Sequence, residues 1–287
     1  MALVLVLWVT ALMSVMVAAL VYSGRVETRV VANVTHQIRL QAAAEAGLAY
    51  AIDDLLRPLS QRVLNEAGIP NALAWGNDRM TIELLHASGL IDLNSAPRAL
   101  FATLLRGVGM EEGFVSSFLD AVEDWRDADD LRKPNGAESS DYERAGRAGP
   151  RNGLFESVEE LNNVLGVTPY WYDKLSDFLT VHSSSATISD LDAPEALLQL
   201  LKGDQAAATI DQRNARTGVL VRSRSAGGGG GVSFGGGTPK VQQHVYLVRV
   251  GIRAEDGSAY RFEATVSLSP DDGRHYAVLS WRPLYGG

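Results

Sequence analysis

MALVLVLWVTALMSVMVAALVY, residues 1–22, runs without a break into SGRVETRVVANVTHQIRLQAAAEAGLAYAIDDLL, residues 23–56. The first part is an apolar run of roughly twenty residues with no charge before Arg25, enough helix to cross a hydrocarbon core about 30 Å thick. The second part keeps a helical stripe through Val26, Val30, Val34, Ile38, Ala42, Ala49, Ile52 and Leu56, and no proline interrupts it before Pro58. One continuous helix is predicted. At about 1.5 Å per residue it is on the order of 80 Å long, so its second half stands clear of a bilayer and lies on whatever folds behind it. A cleaved secretory signal would begin with basic residues, carry a shorter apolar core and leave the helix at a small-residue cleavage site. This stretch has no basic start, and its helical pattern does not stop. The readings that remain are a plain single-span anchor and a membrane helix that doubles as the spine of a folded domain.

Composition bounds what that domain does. The 287 residues are 46% hydrophobic and 21% charged, which supplies a packed core of one or two domains beyond the anchor. A net charge of -8 argues against a general phosphate-binding surface, which rests on Lys and Arg, and leaves cations as ligands. With no cysteine, thiol catalysis, Cys-ligated zinc and disulfides are excluded.

After Pro58 comes a polar loop region, and RMTIELLHASGLIDL, residues 79–93, then alternates as one or two short strands broken at Ser88-Gly89. From Asn94 to about Arg213 the period is helical, in short pieces. Strand alternation returns in TGVLVRSRS, VQQHVYLVRVGIRA, SAYRFEATVSLSP and RHYAVLSWRPL, parted by turns such as Glu255-Asp256-Gly257 and Pro270-Asp271-Asp272-Gly273. The predicted fold is α+β: the long helix covers one face of an antiparallel sheet, and a large all-α domain is inserted between the strands. The expected divisions are 1–24 for the membrane half of the helix, 25–93 with 216–287 for the discontinuous sheet domain, and 94–215 for the helical insertion. The glycine-rich AGGGGGVSFGGGTP, residues 226–239, leads through Pro239 into a strand rather than through Lys-Ser/Thr into a helix, so it reads as a hairpin loop and not a phosphate cradle.

Within the insertion, DLNSAPRALFATLLRGVG (92–109) is echoed by SDLDAPEALLQLLKG (189–203), each a turn opening a short Leu-rich helix. Asn94 or Ser95 with Pro97, and Asp192 with Pro194, are the expected helix starts. A third piece, residues 155–181, has a helix, a break at Gly166 and a second helix. These segments resemble helix-hairpin-helix or SAM-like units, with Leu105–Gly109 as the hairpin. Such units often present hairpin amides and a nearby cation to phosphates, which gives a rival function, a membrane-anchored DNA-binding or uptake receptor. Met110, Glu111 and Glu112 follow this hairpin, and acids there repel phosphate.

Between Glu111 and Glu143 stand Asp120, Glu123, Asp124, Asp127, Asp129, Asp130, Glu138 and Asp141, opposed only by Arg126, Arg132 and Lys133. Such crowding is unfavourable unless a positive charge sits within it. Carboxylates and carbonyls converging in DWRDADDLRKPNGAESSDY, residues 124–142, suit calcium better than zinc; a solvated acidic loop is the alternative. The spacing from Asp127 is not that of an EF-hand, since Leu131 and Arg132 stand at the fifth and sixth positions. Trp125, flanked by Asp124 and Asp127, is expected to be buried and to hold those carboxylates in place.

The half-apolar, half-amphipathic spine resembles the N-terminal helix of pilins and pseudopilins after removal of their leader. GLIDLNSAP (89–97), EDWRDADD (123–130), GAESSDY (136–142) and LFESVEELNNVLGVTPYWYDKL (154–175) resemble the K-type minor pseudopilins of type II secretion, in order and along nearly the whole chain. The resemblance implies a pilin-like domain carrying a helical insertion, with calcium bound by Asp124, Asp127, Asp129, Glu138 and Asp141, Asp130 being an alternative to one of them. It implies a place at the tip of a periplasmic pseudopilus with the I- and J-type minor pseudopilins, beside the major pseudopilin, and a single-pass anchor in the bacterial inner membrane. Pilins usually carry glutamate at the fifth mature residue; with Met1 as the first, this chain has Leu5, as is typical of the K type, and so needs no predecessor in the filament. Leu5, Val26, Val30, Val34 and Ile38 are the expected partner-facing residues. Arg25, Arg29 and Arg39 after the span would by themselves place the domain in the cytoplasm; a basic leader removed ahead of Met1, which the resemblance implies, reverses that orientation. No catalytic set is legible: His36, His86, His182, His244 and His275 are scattered, and neither His-Glu-x-x-His nor Gly-x-Ser-x-Gly occurs.

Overall fold

The computed structural model describes residues 2–214, 244–268 and 275–284, without the side chains of 19–29 and of Ser60. The predicted spine is there as one helix, α1 (Ala2–Leu56). Its core-facing stripe is Leu40, Ala43, Ala44, Leu48, Ala51, Ile52 and Leu55. Of the described side chains in the stripe read from the sequence only Ile52 is buried, while Ala42, Ala49 and Leu56 face solvent with Val30, Val34 and Ile38. Small residues on the buried side let the helix approach closely, and a Cβ on Gly47 would come within 2.8 Å of Met80 Sδ and Val250 Cγ1. Just past the helix, the Asp54 carboxylate accepts the amides of Val63 and Leu64, each at 3.0 Å, and turns the chain back towards the sheet.

The sheet has five antiparallel strands, β1 (Asn71–Trp75), β2 (Asp78–His86), β5 (His244–Arg253), β6 (Ala259–Leu268) and β7 (Ala277–Pro283), in the order β1-β2-β5-β6-β7. Register sets the core: Ile82 stands opposite Val250, which stands opposite Phe262, and Leu84–Val248–Ala264 form the next row. These rows and Met80, Tyr246, Ile252 and Val266 pack under α1. The second face of β6 is buried too, through Glu263, Thr265 and Ser267. β1 lies where the sequence reads as a polar loop. As an edge strand with only Leu73 against the core, it offers little apolar alternation to find it by. The expected turn at 255–257 is present, with Gly257 at φ +86°. The expected strand TGVLVRSRS, the glycine-rich segment and the turn at Pro270–Gly273 lie outside the described residues.

From Arg98 to residue 214 the chain folds mainly as helices, as the period predicts: α2 (Arg98–Gly107), α3 (Glu112–Arg126), α4 (Ser139–Arg144), α5 (Pro169–Leu175), α6 (Glu195–Lys202) and a helical segment over 206–214. Two short strands, β3 (Ile91–Asp92) and β4 (Leu179–Thr180), pair in parallel among them. Leu104, Leu105, Val115, Phe118, Val122, Trp125, Tyr142, Leu161, Leu175 and Leu197 belong to a second core, which also takes in Ile91 and Leu93. The helix starts differ from expectation. α2 and α6 begin directly after Pro97 and Pro194, with no side-chain cap. Asp92 Oδ1 instead holds the amides of Asn94 and Ser95 at 2.8 and 3.0 Å, Asn94 is bonded both ways to the Phe155 backbone, and Asp192 accepts the Ser88 hydroxyl.

Helices and sheet meet across the face that α1 leaves free. Arg249 bonds Glu263 at 2.7 Å and Asp177 at 2.6 Å, while Arg282 bonds Glu263 at 2.6 Å, the Tyr172 hydroxyl at 3.0 Å, and Glu159. A cavity of about 270 Å³ lies beside this network, lined by Leu90, Val158, Leu247 and Trp281 among others.

Candidate metal centre

α3 builds the centre because its two faces have opposite jobs. Val115, Phe118, Leu119, Val122 and Trp125 pack inward, with Trp125 stacked on Phe155 at 6.2 Å between ring centres and tilted against Tyr142 at 5.7 Å. That anchorage brings Asp120 and Asp124, one turn apart, to face the loop 127–138, with Asp127 as the helix C-cap. The loop is sewn to the helix through these acids. Arg98 bonds one oxygen of Asp120 at 2.6 Å, and Asn135 bonds the other through its backbone and side-chain nitrogens, both at 3.1 Å. Burial works against the Asp120 charge, yet Arg98 and Asn135 outweigh it and hold the carboxyl below its usual pKa. The Lys133 amide donates to Asp124 at 3.1 Å. A Cβ on Gly136 would stand 1.9 Å from Asp124 Oδ2, so the loop can lie this close only with glycine there.

Asp124, Asp127 and Glu138 each bring a carboxylate oxygen within 4.8 Å of the other two. Both oxygens of Glu138 and one of Asp127 are buried with no hydrogen-bond partner in the protein. Burial raises the Asp124 pKa, and burial together with Asp124, Asp127, Asp130 and Asp129 pushes Glu138 up to about 7. Glu138 so placed has no cation paired with it among the described residues, and an oxygen-only donor set suits a hard cation. Of the five expected ligands the structure brings these three together. Asp129 accepts the Leu131 amide at 2.9 Å, and Asp141 accepts the Glu138 amide at 3.0 Å while paired with Arg132 and Arg144. Asp130 accepts the Ser139 hydroxyl. One participant was legible only as a countercharge: Lys133 Nζ lies 3.0 Å from Asp127 Oδ2 and 3.5 Å from Asp124 Oδ1.

The hairpin at Leu105–Gly109 joins α2 to α3, with Gly109 at φ +89° and its amide bonded to the Arg106 carbonyl at 2.9 Å. Gly166, also at φ +89°, makes the corresponding break before α5, although the piece ahead of it is a 3-10 helix (Val158–Asn163). The cation of the first hairpin, Arg106, is tied to Glu112 by two bonds of 2.7 Å. On α1, Leu5 is 67% exposed, Val30 55%, Val34 49% and Ile38 61%, whereas the Val26 side chain lies outside the described residues. Among the described residues, no helix is long and apolar enough to cross a membrane; the described side chains of the apolar run are those of 2–18.

Residues 71–184, which hold β1 to β4, both hairpins and the acidic centre, match the family of type II secretion system (T2SS) protein K. A chain in the crystal structure of the GspK-GspI-GspJ complex from the enterotoxigenic Escherichia coli type 2 secretion system has the same fold, at TM-score 0.57 and 15% identity over 91% of this chain and 100% of that one. No curated protein matches by sequence. Residues 71–184 thus match type II secretion protein K, and the resemblance to the K-type minor pseudopilins is borne out.

Proposed function

We propose that this protein works without catalysis as a minor pseudopilin at the tip of the type II secretion pseudopilus. With I- and J-type partners it starts assembly and caps the filament while folded proteins cross the outer membrane. In this reading residues 1–24 anchor the chain in the inner membrane, the globular part stands in the periplasm, and 94–215 form a helical domain inserted between 25–93 and 216–287. The observation that carries it is the protein K family match over 71–184, joined to a fold shared with a chain of a GspK-GspI-GspJ complex. The exposed apolar stripe Val30, Val34 and Ile38 supports a helix-to-helix contact with partners, since apolar surface on a long helix is best buried against another. The test is co-purification with the I- and J-type minor pseudopilins. Val30→Asp with Val34→Asp puts unpaired charges into that seam and is expected to abolish the complex while leaving the melting of the globular part unchanged. A complex that survives both charges overturns the assignment.

Calcium is the ion this reading gives to the acidic centre. Its support is the set of orphaned Glu138 and Asp127 oxygens beside buried Asp124. Bound there, the ion supplies positive charge that ties α3, its loop and the start of α4 together. The full chain in detergent should melt higher in calcium than in chelator, because a ligand bound only by the native state adds RT ln(1 + [L]/Kd) to stability. Glu138→Gln should remove most of that shift. A wild-type midpoint indifferent to calcium overturns the assignment.

A further inference from the structure

The acidic centre already holds a cation of the chain's own. Lys133 Nζ sits 3.0 Å from Asp127, 3.5 Å from Asp124 and 3.9 Å from Glu123. Among the described residues no other Lys or Arg pairs with Asp124, Asp127 or Glu138: Arg98 is held by Asp120 and Glu123, Arg132 and Arg144 by Asp141, and Arg126 donates to the Leu93 carbonyl. The ammonium serves two of the three clustered carboxylates and leaves both oxygens of Glu138 without a partner.

Two features make this lysine displaceable. Its side chain is 33% exposed, so the stem reaches the cluster from the rim and can swing to water. The loop, moreover, is fastened to Asp124 by the Lys133 backbone amide as well as by the ammonium, so the side chain can leave without undoing the backbone bond. We propose that Lys133 is a tethered competitor of the divalent cation: it neutralises Asp124 and Asp127 in the empty centre and must withdraw for the ion to bind. This rests on the reading of the centre as a calcium site. Asp127 and Asp124 cannot serve the ammonium and the ion together without placing two positive charges against each other, so breaking the ammonium pairs is deducted from the binding free energy. Lys133 therefore lowers the calcium affinity and protects the empty centre from its own repulsion.

The experiment is calorimetric titration of the full chain in detergent with calcium chloride, beside melting in chelator and in saturating calcium. Lys133→Met keeps most of the stem and removes the charge. It is expected to bind calcium about tenfold or more tightly, to melt below wild type in chelator, and to melt at or above wild type in calcium. Lys133→Arg keeps the charge and should stay near the wild-type affinity. A residue with a merely structural role would lower both midpoints alike, so a loss in chelator that vanishes or reverses in calcium is the signature of competition. Calcium binding by wild type and Lys133→Met at one affinity, or an equal loss of stability in both conditions, overturns this inference and leaves the calcium site standing. Failure of both proteins to bind calcium overturns the calcium reading itself.

Discussion

His86 shows how one side chain records its surroundings. Its Nδ1 lies 2.6 Å from the Ser88 hydroxyl, which donates to Asp192 at 2.6 Å, and its Nε2 lies 3.3 Å from His244 Nδ1. Burial lowers its pKa; Asp192 and Glu66 pull it up, and His244 and Arg62 push it down. The native imidazole therefore stays neutral where the unfolded one takes a proton. Stability that is complete above the ordinary value of 6.5 is lost as pH falls below it. His182, also lowered by burial, adds to the same slope. Between pH 7.5 and 5 Glu138, pushed up to about 7, contributes a slope of opposite sign, so the His86 contribution is the difference between two chemical-denaturation profiles: wild type should lose more stability than His86→Gln as pH falls, and parallel profiles refute the assignment. Gly136 makes the complementary point. It is required by space rather than by backbone conformation, because Asp124 stands where its Cβ would be.

Among the elements, the pairing of β3 with β4 has a consequence larger than its four residues. It places the Asp92 carboxylate at the junction of two distant loops. Oδ1 accepts the amides of Asn94 and Ser95, and Oδ2 accepts the amides of Ser183 and Ser184 at 2.9 Å and the Ser183 hydroxyl at 3.1 Å. Asp92 is 1% exposed, so a truncated side chain strands amides that water reaches poorly. Asp92→Ala is expected to cost about 3 kcal/mol by denaturant titration, several times the effect of an ordinary surface substitution. A loss below about 1 kcal/mol would mean that the loops find other partners.

For the whole molecule, the question is how the helices are held to the sheet. Glu263 is the shared acid of the network: Arg249 and Arg282 converge on it from neighbouring strands, and each arginine also reaches helical residues, Asp177 in one case and Glu159 with Tyr172 in the other. Removing a central acid leaves two guanidinium groups facing each other in a largely buried site. Glu263→Ala should therefore cost roughly 3–5 kcal/mol, and hydrogen exchange should show protection falling in α5 and β7 more than in α1. Uniform loss of protection would show that the network does not act as the fastening between the two cores. The second core needs such a fastening, because Leu104, Leu175 and its other members pack among the helices rather than under α1.

What the sequence determined by itself is what periodicity and short-range chemistry encode. The uninterrupted spine, the alternating strands that became β2, β5, β6 and β7, the glycine-hinged helix pairs and the K-type motifs were all legible because each is specified by residues a few positions apart. The crowding of acids around Trp125 was legible too, but not its solution. Whether Asp124, Asp127 and Glu138 converge while Asp129 and Asp141 turn to an amide and to arginines depends on the path of the loop over α3, which Gly136, Asn135 and Asp120 decide by contacts across the fold. The same holds for β1, whose weak pattern is overridden by pairing with β2, and for the buried stripe of α1. A long helix exposes every face to sequence reading, and only the sheet laid against it selects Leu40, Ala44, Leu48 and Leu55 as the face that leaves water.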